Sequence, residues 1–366
     1  MPQLKIAFFG SSLVSAYWNG AATYYRGMLR AFHERGHQIT FYEPDAFDRQ
    51  QHRDIDEPPY ARSVVYPATR EALQQCLEDA SDADVVVKAS GVGVFDEELE
   101  AAVLAHQSRG AQVIYWDVDA PATLERIDND PQDPMRQHIP AYDAILTYGG
   151  GPGVVQAFTA LGAKQCIPLY NALDPESHHP VPEEERFACD LNFAGNRLPD
   201  REERVMEFFF KAAEILPEKR FLLAGNGWDQ NAPELPNVNP MGHLYTRDHN
   251  AFNVSPRAVL NISRESMAKM GYSPATRVFE AAGAGACLIT DAWKGIEQFL
   301  EPGQECLVAH SGQEVADILK NLSFGESREI GRRARTRLLQ EHTYAHRAAE
   351  LEAVLLQRSE PLVSVS

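Results

Sequence analysis

The chain predicts an α/β protein built from two doubly wound parallel sheets, and three observations carry that prediction. Short β-rich runs alternate with helical stretches, which implies crossovers between parallel strands. The alternation halts in a stretch rich in proline and charge, residues 174–189, and then restarts. The 366 residues suffice for two ordinary cores, at roughly 100–200 residues per domain.

In the first half, strands are expected at 6–9, 38–42, 64–66, 84–88, 112–117, 144–148 and 165–170, with helices over 21–35, 71–79, 97–106 and 154–161. In the second half, strands at 191–194, 221–224, 259–262, 287–290 and 306–309 alternate with helices over 202–216, 275–284 and 314–321. Apolar positions at Leu338, Leu339, Leu351, Val354 and Leu355 make 327–357 one or two closing helices, with a frayed tail from Ser359. The expected domains are therefore 1–173, a linker 174–189, a second domain 190–340, and a closing helix 341–358 that packs back on the first. Two such sheets are expected to border a cleft at the carboxyl ends of their strands, where ligands of these folds bind. Residues just past strand ends are thus the candidates.

Charge narrows the partners. Subtracting 52 Asp+Glu from 34 Lys+Arg leaves −18, no field for phosphate backbones or anionic lipid, so no nucleic-acid partner is expected. Arg332, Arg333, Arg335 and Arg337 read, on so acidic a chain, as a solvated helix face. The 5 cysteines have no CxxC spacing, which indicates reduced thiols rather than disulfides or a zinc site. Met1 leads directly into the strand-like Lys5-Ile-Ala-Phe-Phe9 without a signal-peptide pattern. No run approaches the roughly 18 apolar residues of a spanning helix, and a cytoplasmic protein is expected.

Several strand ends carry chemistry. Phe9-Gly10-Ser11-Ser12 opens a loop that reaches Asn19-Gly20 before a helix; it can hold an anion on backbone N–H groups or merely serve the turn. Gly91-Val-Gly93 lacks a third glycine and runs into Asp96-Glu97-Glu98, which reads as helix capping. Asp117 and Asp119 fall on one side of an extended segment, where Asp119 is either a base or a device of the turn before Pro121. Tyr148-Gly-Gly150-Gly151-Pro-Gly153 suits close approach of a ligand to backbone.

In the second half, Gly195-Asn196-Arg197 follows a strand, and Arg201 and Arg204 begin the next helix against its dipole. A bound diphosphate relieves that conflict, as does ion pairing with Asp200, Glu202 or Glu203. Gly225-Asn226-Gly227 offers exposed backbone to a nucleotide base. Ser273 is expected as N-cap and Pro274 as the first helical residue, which sets Arg277 and Glu280 three apart on one face. They form either a surface pair or a grip on a sugar nucleotide.

The run Arg277-Val-Phe-Glu280-Ala-Ala-Gly-Ala-Gly-Ala, followed by Asp291 and Gly295-Ile-Glu297, resembles the C-terminal signature of GT-B glycosyltransferases. It is most similar to the CgeB-like, spore-maturation-type group with a family-four-like C-terminal domain. Further support comes from Asn19-Gly-Ala-Ala-Thr-Tyr-Tyr-Arg-Gly27, Tyr115-Trp-Asp-Val-Asp119 and Glu341-His-Thr-Tyr-Ala-His-Arg347, so the resemblance spans nearly the whole chain.

The resemblance implies two Rossmann-like domains across a cleft, a nucleotide-diphosphate sugar, by preference UDP-linked, on the C-terminal domain, and an acceptor on the N-terminal one. That acceptor is a small molecule, glycan or protein. No metal and no cofactor beyond the co-substrate are implied. Glu280 would hold the ribose hydroxyls and Arg197 and Arg264 the diphosphate, with Gly195, Gly225, Asn226, Tyr272, Ser273 and Arg277 completing the donor site. Ser11, Asn19, Gly20, Asp117, Gly150 and Gly151 would line the acceptor side, and Asp119 and His37 are the bases an inverting reaction would require. Family-four enzymes usually carry a second glutamate eight positions before the ribose glutamate; here that residue is Tyr272, which leaves the sugar contact and the stereochemistry open. The expected activity is transfer of a hexose or N-acetylhexosamine to an acceptor hydroxyl. The alternatives are a nucleotide-sugar epimerase on the same fold, or a catalytically silent sugar-nucleotide-binding protein.

Overall fold

The computed structural model describes residues 2–17, 19–228 and 232–357, so the frayed tail expected from Ser359 lies outside the described residues. The chain divides into two compact units, Met1–Tyr170 together with the segment from Tyr344, and Asn171–Thr343.

The first unit is built on seven strands: β1 (Lys5–Phe9), β2 (Gln38–Asp45), β3 (Arg62–Pro67), β4 (Val85–Ala89), β5 (Gln112–Asp117), β6 (Ala144–Thr147) and β7 (Cys166–Pro168). Their order is β3-β2-β1-β4-β5-β6-β7, with every pair parallel. The central strands are buried on both faces, which is why β4 reads as an unbroken Val-Val-Val run. Strand order reverses between β1 and β4, where Ile6 pairs with Val85 and Phe8 with Val87.

The second unit repeats the scheme with β8 (Leu191–Ala194), β9 (Phe221–Ala224), β10 (Val238–Gly242), β11 (Ala258–Asn261), β12 (Leu288–Asp291) and β13 (Leu307–Ala309). The order is β10-β9-β8-β11-β12-β13, again all parallel. Here the reversal falls between β8 and β11. The sequence did not announce β10, because Val-Asn-Pro-Met-Gly has no apolar run; a proline is tolerated there since β10 is an edge.

Four helices go beyond the expected set: Ala120–Asn129, Met135–His138, His249–Val254 and Glu265–Met270. The first corrects the reading of Asp119-Ala-Pro121 as a turn, since a proline in the first helical turn is pre-set for the helix rather than a break in it. The helix expected over 202–216 runs from Pro199 to Ile215 but contains a π turn, Met206–Phe210, that sends Phe208, Phe209 and Phe210 all into the core.

The expected linker is also corrected. Leu173 N–H bonds the His342 carbonyl at 2.8 Å, His178 is buried, and Phe187 packs edge-on against Phe252 at 5.5 Å. Residues 174–189 are therefore a packed strap of the second unit, held by a few apolar anchors that the surrounding prolines and charges mask. Phe324–Glu341 closes that unit behind a capping box of Ser323 and Glu326. On it, Arg332 and Arg333 pair with Glu329 and Arg337 with Glu341 at the surface. No described helix is long and apolar enough to cross a membrane.

Tyr344–Gln357 packs within the first unit against Ala22–Glu34. Gly27 makes the approach possible: a Cβ there would lie 2.1 Å from the Tyr344 ring. Gly27→Ala is expected to destabilise the first unit by about 1–3 kcal/mol through overpacking, read as a lowered denaturation midpoint; an unchanged midpoint would refute this packing.

Candidate functional site

In open α/β sheets ligands bind beyond the carboxyl ends of the strands where their order reverses. In the second unit that place is the ends of β8 and β11, and arginine collects there. Arg201 donates to the Asn196 carbonyl at 2.5 Å and lies 5.7 Å over the Phe193 ring. Arg277 donates to Asn253 Oδ1 at 3.1 Å and to the Ala194 carbonyl at 3.3 Å. Among the described residues, neither has a carboxylate at ion-pair distance. Burial pulls both below the usual arginine range, Arg201 to about 10, against the opposing charges of Asp200 at Arg201 and Glu280 at Arg277, while Arg277 and Arg264 add to the fall at Arg201.

The other arginines are held differently. Arg264 Nε meets Asp200 at 2.5 Å, and Arg197 pairs with Glu202 while lying 5.8 Å over Trp228. Arg204 reaches the buried Asp291 at 2.6 Å and Glu265 at 3.2 Å. Arg204 is ion-paired, but with Asp291 and Glu265 and not with the expected Asp200, Glu202 or Glu203, while among the described residues Arg201 has no carboxylate at ion-pair distance.

The glycines make room for these groups. A Cβ on Gly195 would sit 2.8 Å from Arg201 Nη2, and one on Gly225, at φ +122°, would sit 2.2 Å from the Gly195 carbonyl oxygen. The two loops are stitched together by Arg197 N–H to the Asn226 carbonyl at 2.9 Å and by Asn226 N–H to Asn196 Oδ1 at 3.0 Å.

The helix expected to start at Pro274 starts at Thr276, with Ala275 as N-cap and no side-chain cap. Ser273 does not cap it; its hydroxyl bonds the Gly271 carbonyl at 3.0 Å instead, because the chain stays extended for two residues more. In its first turn the Val278 N–H bonds the Ala275 carbonyl at 3.1 Å, and no side chain of the N-cap residue takes up the others. Tyr272, at φ +48°, presses its ring where a Cβ on Gly295 would come within 2.3 Å. An aromatic wedge occupies the position of the usual glutamate.

Glu280 is buried on the second turn of that helix and faces His178 and His249, with one donor atom from each of the three within 4.8 Å of the others. Burial pushes the Glu280 carboxyl up, but His178, Arg277 and His249 outweigh it and bring it below its ordinary value. Burial pushes His249 down to about 4 against the opposing pull of Glu280. Sequence reasoning missed both histidines, since no motif links them and His178 lies in the supposed linker.

In the first unit, Ser11 Oγ bonds Asn19 Oδ1 at 3.0 Å and Asn19 Nδ2 bonds the Ser12 carbonyl at 2.8 Å. Both residues thus brace their own loop, and Gly20 is exposed beside them. Arg49, not anticipated, donates to the carbonyls of Ser11 at 3.1 Å and Val92 at 3.3 Å, tying the loops after β1 and β4 across the point of reversal. Gly150 and Gly151 take positive φ, +92° and +49°, as they lead into Gly151–Ala160.

Asp117 ends β5 fully buried, accepting from Ser90 Oγ at 2.9 Å and from Asp119 N–H at 3.0 Å. Burial pushes it up to about 6. Asp119, half-buried, occupies the N-cap position of Ala120–Asn129, so the two carboxylates do not share one extended segment as expected. His37 is a correction. It precedes β2 at the amino edge of the sheet, is sealed from solvent, accepts from Leu4 N–H at 3.2 Å, and meets Glu352 at 3.2 Å. That edge is opposite to the one where an acceptor base is needed.

Residues 201–353 match a family model described as glycosyl transferase-like. No curated protein matches the chain. Among solved structures, Anabaena HepE in complex with UDP and glucose is similar at 13% identity, with a TM-score of 0.70 over 97% of this chain and 100% of that one. Sucrose-phosphate synthase from Thermosynechococcus elongatus gives 13% and 0.67 over 98% and 99% of the two chains. An alpha-glucosyltransferase in complex with UDP and a 13-mer DNA gives 10% and 0.68 over 97% and 100%. At these identities the likeness is one of fold, and since one such fold holds DNA, the fold gives no ground for excluding nucleic acid as a partner. The match over residues 201–353 is to a glycosyl transferase-like domain, and the two-sheet architecture is the GT-B fold of the similar solved structures.

Proposed function

We propose that the chain moves a hexose or N-acetylhexosamine from a UDP-linked sugar to an acceptor hydroxyl, with no metal in the transfer step, and that it is of the CgeB-like group. The observation that carries this reading is the pair of half-buried guanidinium groups, Arg201 and Arg277, without a carboxylate partner at the end of β8. As the glycosidic bond breaks, negative charge grows on the departing diphosphate. Fixed cations and an uncapped helix end in a low-dielectric place stabilise that charge more in the transition state than in the ground state. Arg264 and Arg197, now paired with Asp200 and Glu202, supply further charge. Glu280 receives the ribose hydroxyls, and the backbone at Gly225 and Asn226 receives the base. UDP is favoured because similar folds are solved with it.

The acceptor belongs to the first unit, and an inverting reaction would use Asp119 as base, whereas a retaining one needs none. The free cysteines, three of them buried, support a cytoplasmic setting. Tyr272 in place of a carboxylate favours one second reading, a silent sugar-nucleotide binder, for which donor binding without transfer is the signature.

Calorimetry against UDP, GDP, dTDP and ADP is expected to show selective UDP binding. Arg201→Ala and Arg277→Ala should each weaken it by about 1.5–3 kcal/mol, the loss of a charged hydrogen bond; undiminished affinity in both folded variants removes the assignment. Asp117 supplies a pH signature. Its carboxyl is raised from 3.8 to about 6 in the folded chain. The unfolded chain therefore ionises first, and wild-type stability falls as pH rises through that window, by about 3 kcal/mol in all. The stability of Asp117→Asn relative to wild type should rise between pH 4 and 6.5 in denaturant titrations, and a flat difference contradicts the buried acid.

A further inference from the structure

We propose that His178, His249 and Glu280 form a binding site for a divalent transition metal of zinc character. The site goes beyond the transfer chemistry, which needs no metal, and only its consequence for the donor rests on that reading.

The donor set is the first argument. Two imidazole nitrogens and one carboxylate oxygen converge within 4.8 Å of one another, a composition that suits zinc with three protein ligands and an open fourth position. Tetrahedral ligands at bonds of about 2.0–2.2 Å sit about 3.4 Å apart, so the three need to close by at most about 1.4 Å from the observed spread, within the reach of small side-chain rotations. Among the described residues, no hydrogen bond joins the three.

The surroundings are the second argument. Each ligand comes from a separately anchored element of one unit. His178 lies in the packed strap, its N–H on the Asp174 carbonyl at 2.9 Å; His249 opens the helix His249–Val254; Glu280 lies on Thr276–Gly283.

The consequence follows from Glu280. If the same carboxylate takes the ribose hydroxyls, metal and UDP-sugar compete, and the metal inhibits rather than assists.

The test uses the full chain stripped with a chelator, titrated with zinc by calorimetry and with cobalt by visible absorption. One equivalent of zinc and the intense absorption of tetrahedral cobalt are expected, with affinity falling at least a hundredfold in His249→Gln and in His178→Gln. Absence of stoichiometric binding, or binding that the two variants retain, overturns the site; the cobalt spectrum of the wild type decides the matter should a variant fail to fold. UDP titrated with chelator present reads the donor proposal alone, so the two can fail separately. UDP titrated into zinc-loaded protein should bind at least tenfold more weakly, and simultaneous, independent binding overturns the overlap at Glu280.

Discussion

A cation withdrawn from water without a carboxylate at ion-pair distance costs the protein stability, and among the described residues the second unit holds two such arginines, with Asp200 and Glu280 only as more distant counter-charges. Arg201 and Arg277 donate only to carbonyl and amide oxygens, which satisfy their geometry but leave their charge. Much of the local design follows from accommodating them. Glycine at 195 leaves the space Arg201 needs, glycine at 225 lets the neighbouring loop touch that backbone, and the helix carrying Arg277 begins without a capping side chain. An anion that met both guanidinium groups and the open helix end would offset all three costs together.

In the first unit Arg49, too, donates to carbonyls, but other buried charges there are neutralised within the protein. Lys88, fully buried in β4, meets Asp96 at 2.6 Å and Glu100 at 3.7 Å. Asp96 also accepts from Val92 N–H at 3.1 Å and Gly93 N–H at 2.7 Å. Glu43 accepts from Ser12 Oγ, Leu13 N–H and Gln50 at 2.6–3.0 Å. These charges are neutralised within the protein and hold loops in place; they resemble a frame more than a reaction site.

The sequence revealed elements wherever a strand is buried on both faces, as in β4 and β5, because burial there demands an unbroken apolar run. It concealed β10, where an edge permits proline and polar residues, and Ala120–Asn129, where Pro121 starts a helix while reading as a turn. The arginines of the candidate site were visible as charges out of keeping with a helix dipole. Which of them lack a partner was not visible, since Asp291 and Glu265 reach Arg204 from 87 and 61 positions away. His37 misled because a histidine after a glycine turn looks accessible, whereas it plugs the wrong edge of the sheet. His178 hid in a run whose composition reads as solvent-exposed.

The π turn at Met206–Phe210 has a wider meaning. A π turn is an α-helix with one residue too many, and each residue of an α-helix turns the chain by about 100°. Upstream of it stand Arg201 and Arg204; downstream, Ala212 and Ala213 lie buried in the core. The extra residue therefore acts as a phase shift between two halves of one helix, letting the downstream half keep its core register while the arginine-bearing half aims elsewhere. Loss of a single residue here would remove that phase shift, so that the arginines and the core phenylalanines of the turn could no longer both keep their places.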